Sequence, residues 1–154
     1  MTRPIRTLLT ALSLLAIATA DTFADPAPAA TPAATAARTP SPKGAHVYIV
    51  TPQDGATVHS PVHIVFGLSG MGVAPAGVDH PGTGHHHLLV DTTLPPMNAP
   101  IPKDDHHVHF GNGQTETDLP LAPGKHTLQL LLGDQLHVPH DPPVFSAPIT
   151  ITVE

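Results

Sequence analysis

Three consecutive histidines, His85 to His87, are the side chains of this chain best suited to chemistry. They follow the dipeptide Thr83-Gly84 and lead directly into the apolar run 88–90. The chain has 13 histidines in 154 residues, against six lysines and arginines, so imidazole is unusually abundant. Imidazole is the commonest metal ligand among protein side chains and titrates closest to neutral pH. The pattern indicates either a metal site or a pH-sensitive polar cluster.

Two further pairs of histidines have spacings that favour a shared site. His107 and His109 are two residues apart, and His137 precedes His140 by three. Residues two apart on a β-strand share one face, and opposing Cβ atoms on neighbouring strands lie about 4.5–5.5 Å apart. Imidazoles in such an arrangement suit Zn(II) or Cu(II). The predicted metal ligands are His85, His86, His87, His109, His137 and His140.

Strand alternation divides the triple histidine between two faces. Because Asp91 should face water, His85 and His87 are assigned to the outer face of a strand 85–91 and His86 to the inner face. An inward-facing histidine is either held by a backbone hydrogen bond or used as a ligand. The sequence leaves both possibilities open for His86.

Short alternating runs separated by glycine, proline, aspartate and asparagine continue through the rest of the chain, without a sustained helical period. This pattern is typical of an all-β fold. We predict an Ig-like Greek-key β-sandwich of about seven strands, with a jelly-roll-like or other Greek-key sandwich as the alternative. The predicted strands are 46–51, 62–68, 85–91, 106–110, 114–119, 126–132 and 148–154.

The predicted topology brings distant histidines to one end of the sandwich. In an Ig-like fold, the loop before the third of these strands and the loop between the last two lie at the same end. The first loop, 70–84, carries His80, and the second, 133–143, carries His137 and His140. Asp134 and Asp141 arrive with the second loop, as partners of the imidazoles or as hard ligands.

The N-terminal region predicts export. Arg3 and Arg6 precede an apolar run too short to span a bilayer, which needs roughly 20 residues, and small residues follow it. Residues 1–20 are therefore predicted to be a signal peptide, although cleavage after Ala24 is an alternative to cleavage after Ala20. Residues 21–44, rich in alanine and proline, are predicted to be a disordered linker, and 45–154 to be the domain. We expect a periplasmic or secreted protein without membrane insertion after signal removal.

Composition excludes several classes of function. Two lysines and ten carboxylates give residues 45–154 a net charge of −8 with neutral histidines, so the domain should repel nucleic acid and attract cations. The chain has no cysteine, which excludes disulfides and thiolate metal sites. It also has no P-loop, HExxH or dinucleotide-binding motif, and its serines lack the setting of a hydrolase nucleophile.

Five segments carry a resemblance to a known family. The sequences of residues 70–77, 83–91, 109–116, 123–130 and 133–144 resemble those of the DUF4399 proteins, a bacterial family of unknown function. The resemblance implies an exported single domain and supplies no reaction. The segments 51–55 and 60–62 also look like the opening of bacterial Ig-like modules.

These observations favour an exported, histidine-rich metal-binding protein, a copper or zinc carrier, buffer or sensor. Met71 and Met97 are candidate soft ligands for Cu(I). Metal affinity should weaken as the pH falls through about 6.5, since only neutral imidazole binds. One alternative is an Ig-like interaction module with a structural histidine network, no metal and another envelope protein as partner. A second is a metal-dependent enzyme, which needs an open coordination position.

Overall fold

The computed structural model describes residues 38–154, so the predicted signal peptide and most of the predicted linker lie outside the described residues. Within that range there are strands and no helix, and hence no helix that could cross a membrane. The strands are β1 (His46–Thr51), β2 (Thr57–Val58), β3 (Val62–Ser69), β4 (Gly72–Val73), β5 (Thr83–Val90), β6 (His107–His109), β7 (Glu116–Leu119), β8 (Gly124–Gly133) and β9 (Ile149–Val153).

The strands form two sheets in an Ig-like order. One sheet has the order β1-β3-β7 and the other β2-β9-β8-β5-β4, with β6 also paired to β5. Strand β8 occupies one edge of β5, so β4 and β6 share the other edge at different heights. The predicted all-β sandwich is confirmed, and each of the seven predicted strands has a counterpart. The two-residue strands β2 and β4 were not predicted, because two residues are too few to show alternation.

A single apolar core lies between the two sheets. On β3, β5, β8 and β9 every second side chain points inward, as the alternation of the sequence predicted. Phe110, directly after β6, and Val144, before β9, complete the packing. The strand residues buried in this core are Val47, Val62, Ile64, Phe66, Leu88, Val90, Leu128, Leu130, Leu132, Ile151 and Val153.

The outer face of the second sheet is covered where β5 and β8 pair. Leu89 and Leu131 point away from the main core, yet both are fully buried, because Ile101 packs on them together with Leu94 and Met97. The connection from β5 to β6 therefore lies across the outer face of the sheet. Side chains that alternation assigns to this part of the face, such as those of His85 and His87, are shielded from water.

Residues 38–44, predicted to belong to the linker, lie against the domain. The Thr39 hydroxyl donates a 2.7 Å hydrogen bond to Asp134 Oδ2, and the Ser41 amide donates to the carbonyl of Asp141. The Arg38 guanidinium donates to the carbonyls of Pro139 and His140. The folded part of the chain thus extends at least to Arg38, seven residues before the predicted boundary, because polar groups of the later loop fix this segment.

Candidate metal centre

Strand pairing places three histidines side by side on the covered face of the second sheet. His87 is the direct partner of His109 across β5 and β6, and His85 lies two residues before His87 on the same face. On the other side of β5, the partner of His85 is Gly133, which has no side chain. The two strands are therefore neighbours, and the absence of a side chain at Gly133 leaves a space that imidazole rings can fill.

His137 reaches the same space from the β8–β9 loop. The centres of the His137 and His109 rings lie 4.8 Å apart, and those of His137 and His85 lie 4.9 Å apart. All six pairs among the four rings have centre-to-centre distances of 4.8–6.0 Å. We call this group the four-histidine cluster; its members are His85, His87, His109 and His137.

Asp134 holds the loop that delivers His137. Its Oδ1 atom accepts hydrogen bonds of 2.9 Å from the amides of Leu136 and Val138, and its amide donates to the Val138 carbonyl. His137 itself has a φ of 67°, a left-handed conformation that is uncommon for a residue other than glycine. Its carbonyl accepts a 2.8 Å hydrogen bond from the Ile101 amide, which ties this loop to the covering segment.

Burial keeps the imidazoles of His85, His87 and His109 neutral. His85 and His87 are each only 1% exposed. Burial first, and then the neighbouring imidazoles, lower the pKa of His85 to about 4 and that of His87 to about 2. The pKa of His109 is lowered by burial and by the charges of His137 and Lys103. These rings are therefore in the neutral, metal-binding form at neutral pH, and the pKa of about 6.5 assumed from sequence is too high for His85 and His87.

Several ring nitrogens of the cluster lack partners. Among the described residues, both nitrogens of His85 and Nδ1 of His87 are buried without a hydrogen bond. The one hydrogen bond within the cluster joins Nε2 of His109 and Nε2 of His137 at 3.2 Å. A buried polar group without a partner costs roughly 1–3 kcal/mol, so this arrangement is unfavourable unless something else binds the nitrogens.

The two remaining predicted ligands, His86 and His140, lie on the opposite face of β5. His86 points into the core beside Phe66, with ring centres 5.2 Å apart, and burial lowers its pKa to about 4. The His140 ring packs over Gly84, where a Cβ atom would lie 2.9 Å from its Cε1. Its Nε2 donates a 3.1 Å hydrogen bond to the Thr83 carbonyl. The sheet separates both residues from the four-histidine cluster.

Other residues considered from the sequence also lie outside the cluster. His107 donates from Nδ1 to Asp104, and His80 is exposed. Asp141 forms an ion pair with Arg38 at 3.4 Å. Met71 packs against the main core and Met97 against the smaller apolar cluster. Four of the histidines therefore converge, fewer than the sequence suggested, because single residues of the loops turn to either side of the sheet.

The geometry of the cluster allows it to hold a metal ion. Ligand atoms of His85, His109 and His137 all lie within 4.8 Å of one another. At a metal–nitrogen distance of about 2.0–2.1 Å, tetrahedral ligands are roughly 3.3 Å apart, close to the 3.2 Å between His109 Nε2 and His137 Nε2. His87 lies outside this trio but in the same group of rings, with its ring centre 4.8 Å from that of His85 and 5.1 Å from that of His109.

One feature of the site was not predicted, namely a cavity beside the cluster. This cavity has a volume of about 330 Å³ and is lined by His87, His109, His137, Pro100, Ile101 and Lys103. From sequence, Lys103 contributes only to the net charge. A lone lysine in a proline-rich connection has no sequence pattern that would indicate a binding site. The path of the covering segment over the sheet, which brings Lys103 here, depends on non-local contacts.

The fold and the site define an all-β sandwich with a histidine cluster that could hold a metal ion. The chain belongs to the family described as a domain of unknown function (DUF4399), whose model matches residues 64–154. The predicted resemblance is confirmed. The matched range contains all four residues of the cluster. Neither the curated proteins nor the solved structures contain a match to this chain.

Proposed function

We propose that this protein is an exported carrier or buffer of a transition metal ion, bound by His85, His87, His109 and His137. The observation that carries the proposal is the convergence of four imidazoles from two strands and a distant loop. Burial keeps at least His85 and His87 neutral. Neutral imidazole is the form that coordinates metal.

Unpaired nitrogens favour this proposal over a purely structural histidine network. In such a network, the buried donors and acceptors would satisfy one another. Here both ring nitrogens of His85 are unpaired among the described residues, and its nearest neighbours are other imidazoles. A bound cation would satisfy several of these nitrogens at once.

The ligand set supports Cu(II) or Zn(II). Imidazole is suited to both, whereas Mg²⁺ and Ca²⁺ prefer oxygen ligands. No carboxylate shares the cluster, and Asp134 uses its oxygens for the amides of its own loop and for Thr39. Cu(II) binds a given set of nitrogen ligands more tightly than Zn(II), so we expect Cu(II) to displace Zn(II).

Sequence features support the extracytoplasmic part of the proposal. The basic residues and apolar run at the N-terminus have the pattern of a secretory signal. A carrier or buffer outside the cytoplasm meets free metal ions directly. The acidic surface of the domain would attract them.

Calorimetric titration of the protein, purified without an affinity tag, tests the proposal. We expect one Cu(II) or Zn(II) ion to bind with micromolar or tighter affinity. The double variant His85→Ala/His87→Ala should lose at least about 100-fold in affinity, since removing two of four ligands leaves too few nitrogens.

The matched control is His46→Ala/His59→Ala, which removes two exposed histidines outside the cluster. This control should bind metal like the unmodified protein. Binding weaker than about 1 mM for both metals, or equal affinity in the two double variants, would contradict the proposal. Circular dichroism of each variant establishes that the sandwich is still folded.

A further inference from the structure

The four-histidine cluster is closed on one side and open on the other. His85 is almost fully buried, and the negative charge of Asp134 acts on it from the loop side. The other three imidazoles, His87, His109 and His137, line the 330 Å³ cavity. An ion held by the cluster would therefore be shielded from water on the side of His85 and accessible from this cavity on the other side.

A metal ion at this site would keep its full charge. The imidazoles that would coordinate it are neutral ligands, and no carboxylate belongs to the cluster. The nearest anionic group that acts on the cluster, Asp134, is already engaged by two amides and the Thr39 hydroxyl. A divalent ion without an anionic ligand favours binding of an anion from solution.

Lys103 adds a second positive charge at the same cavity. Lys103 lines the cavity together with His109, and the positive charge of Lys103 contributes to the lowered pKa of His109. It forms no ion pair with the carboxylates of residues 38–154. Asp104 and Asp105 line a neighbouring cavity together with Lys103. Their negative charges weaken the electric field of the Lys103 ammonium, but neither carboxylate neutralises it by direct contact.

We propose that the cavity between Lys103 and the cluster binds a small monovalent anion, which coordinates the metal ion directly and contacts the lysine ammonium. This inference rests on the proposed metal function. The volume lies at the lower end of the range for ligand pockets, about 300–1,000 Å³, which favours a small anion. Pro100 and Ile101 supply an apolar wall that limits hydration of the anion.

Azide is a suitable probe, because its coordination to Cu(II) produces a charge-transfer absorption band. We expect titration of the Cu(II)-loaded protein with azide to produce a saturable band. In Lys103→Gln the dissociation constant of azide should rise about two- to fivefold, the range expected for one exposed ion pair. Cu(II) affinity should not fall in this variant, because a positive charge is removed from beside the cation. Lys125→Gln, which neutralises an exposed lysine on β8, is the matched control and should bind azide normally.

The outcomes separate this inference from the proposed function. If Cu(II) binds but azide produces no band, coordination is complete without an anion and the inference is wrong. If azide binds equally well to both lysine variants, the assignment of Lys103 is wrong. If Cu(II) itself does not bind, the proposed function fails and the anion site fails with it.

Discussion

At the scale of single residues, Gly133 creates room for the cluster. A Cβ atom at this position would lie 2.8 Å from Cε1 of His87 and 3.3 Å from Cδ1 of Ile101. The His87 ring occupies the space that any larger residue would need. The backbone of Gly133 lies outside the left-handed region. The close packing, and not the backbone conformation, therefore requires glycine at this position.

Gly133→Ala should displace His87 and weaken metal binding. Overpacking a filled site costs typically about 1–3 kcal/mol, and the movement would separate His87 from the other imidazoles. Metal titration and urea unfolding of the variant measure the two effects. Gly72→Ala is the control, because its Cβ would meet only Thr83 Cγ2 at 3.4 Å; equal metal affinity in both variants would contradict this role for Gly133.

His126 forms a structural ion pair far from the cluster. Its Nδ1 donates to Asp91 Oδ2 at 2.7 Å and its Nε2 donates to the Ala122 carbonyl at 2.8 Å. Two acceptors favour the protonated ring, so these hydrogen bonds raise the pKa of His126 above 6.5. These contacts give His126 a structural role.

This ion pair should make stability depend on pH in a defined direction. Because folding raises the pKa of His126, its contribution is complete below pH 6.5 and is lost as the pH rises through the raised value. Asp91→Asn keeps an acceptor for the Thr127 amide and suits the φ of 54° at this position.

The variant should therefore lose about 0.5–1 kcal/mol of unfolding free energy near pH 5.5 and less near pH 8.5. Urea unfolding at both pH values measures the difference between Asp91→Asn and the unmodified protein. The buried histidines of the cluster are common to both proteins, so their titration cancels. An identical loss at the two pH values would show that charge is not involved.

At the scale of elements, the cluster depends on how two loops are fixed to one sheet. The β8–β9 loop is held by the Asp134 carboxylate, and the covering segment is joined to it through the Ile101 amide and the His137 carbonyl. Thr39, from the N-terminal segment, binds the second oxygen of Asp134. Three separate parts of the chain therefore determine the position of His137.

Asp134→Ala should weaken metal binding although Asp134 is not proposed as a ligand. The variant leaves the amides of Leu136 and Val138 without their acceptor, which should lower the unfolding free energy by about 1–3 kcal/mol and release His137. Metal titration provides the readout, and Asp79→Ala, an exposed carboxylate before β5, is the control. Unchanged metal affinity in Asp134→Ala would show that the loop keeps its shape without this carboxylate.

At the scale of the whole molecule, metal binding and folding should be coupled. The cluster forms only when β5, β6 and the β8–β9 loop are assembled, so an unfolded chain does not present this site. A ligand that binds only the folded state stabilises it by about 2.7 kcal/mol at a free concentration 100 times its dissociation constant.

We expect Zn(II) to raise the melting temperature of the protein, and a chelator to reverse the increase. Thermal unfolding followed by circular dichroism measures the shift at several metal concentrations. In His85→Ala/His87→Ala the shift should be absent, whereas His46→Ala/His59→Ala should retain it. A shift of equal size in both variants would place the stabilising metal elsewhere on the protein.

The alternating pattern of the sequence predicts the sandwich, the approximate position of its seven longer strands and the face of β5 that carries His85 and His87. These features are encoded locally, because alternating apolar residues give a strand only one way to bury its side chains. The pairing of β5 with β6, which brings His109 opposite His87, is not encoded in either strand alone and is seen only in the assembled sheet.

Which loop histidines join the cluster depends on contacts between distant parts of the chain. His137 turns to the covered face and His140 to the core face, although they are three residues apart and equally probable from spacing. The hydrogen bonds from Thr39 to Asp134 and from the Ile101 amide to the His137 carbonyl hold this loop, and each joins residues that lie far apart in the sequence. The same reason applies to Lys103, since a loop without a repeating pattern takes its path from the surfaces on which it packs.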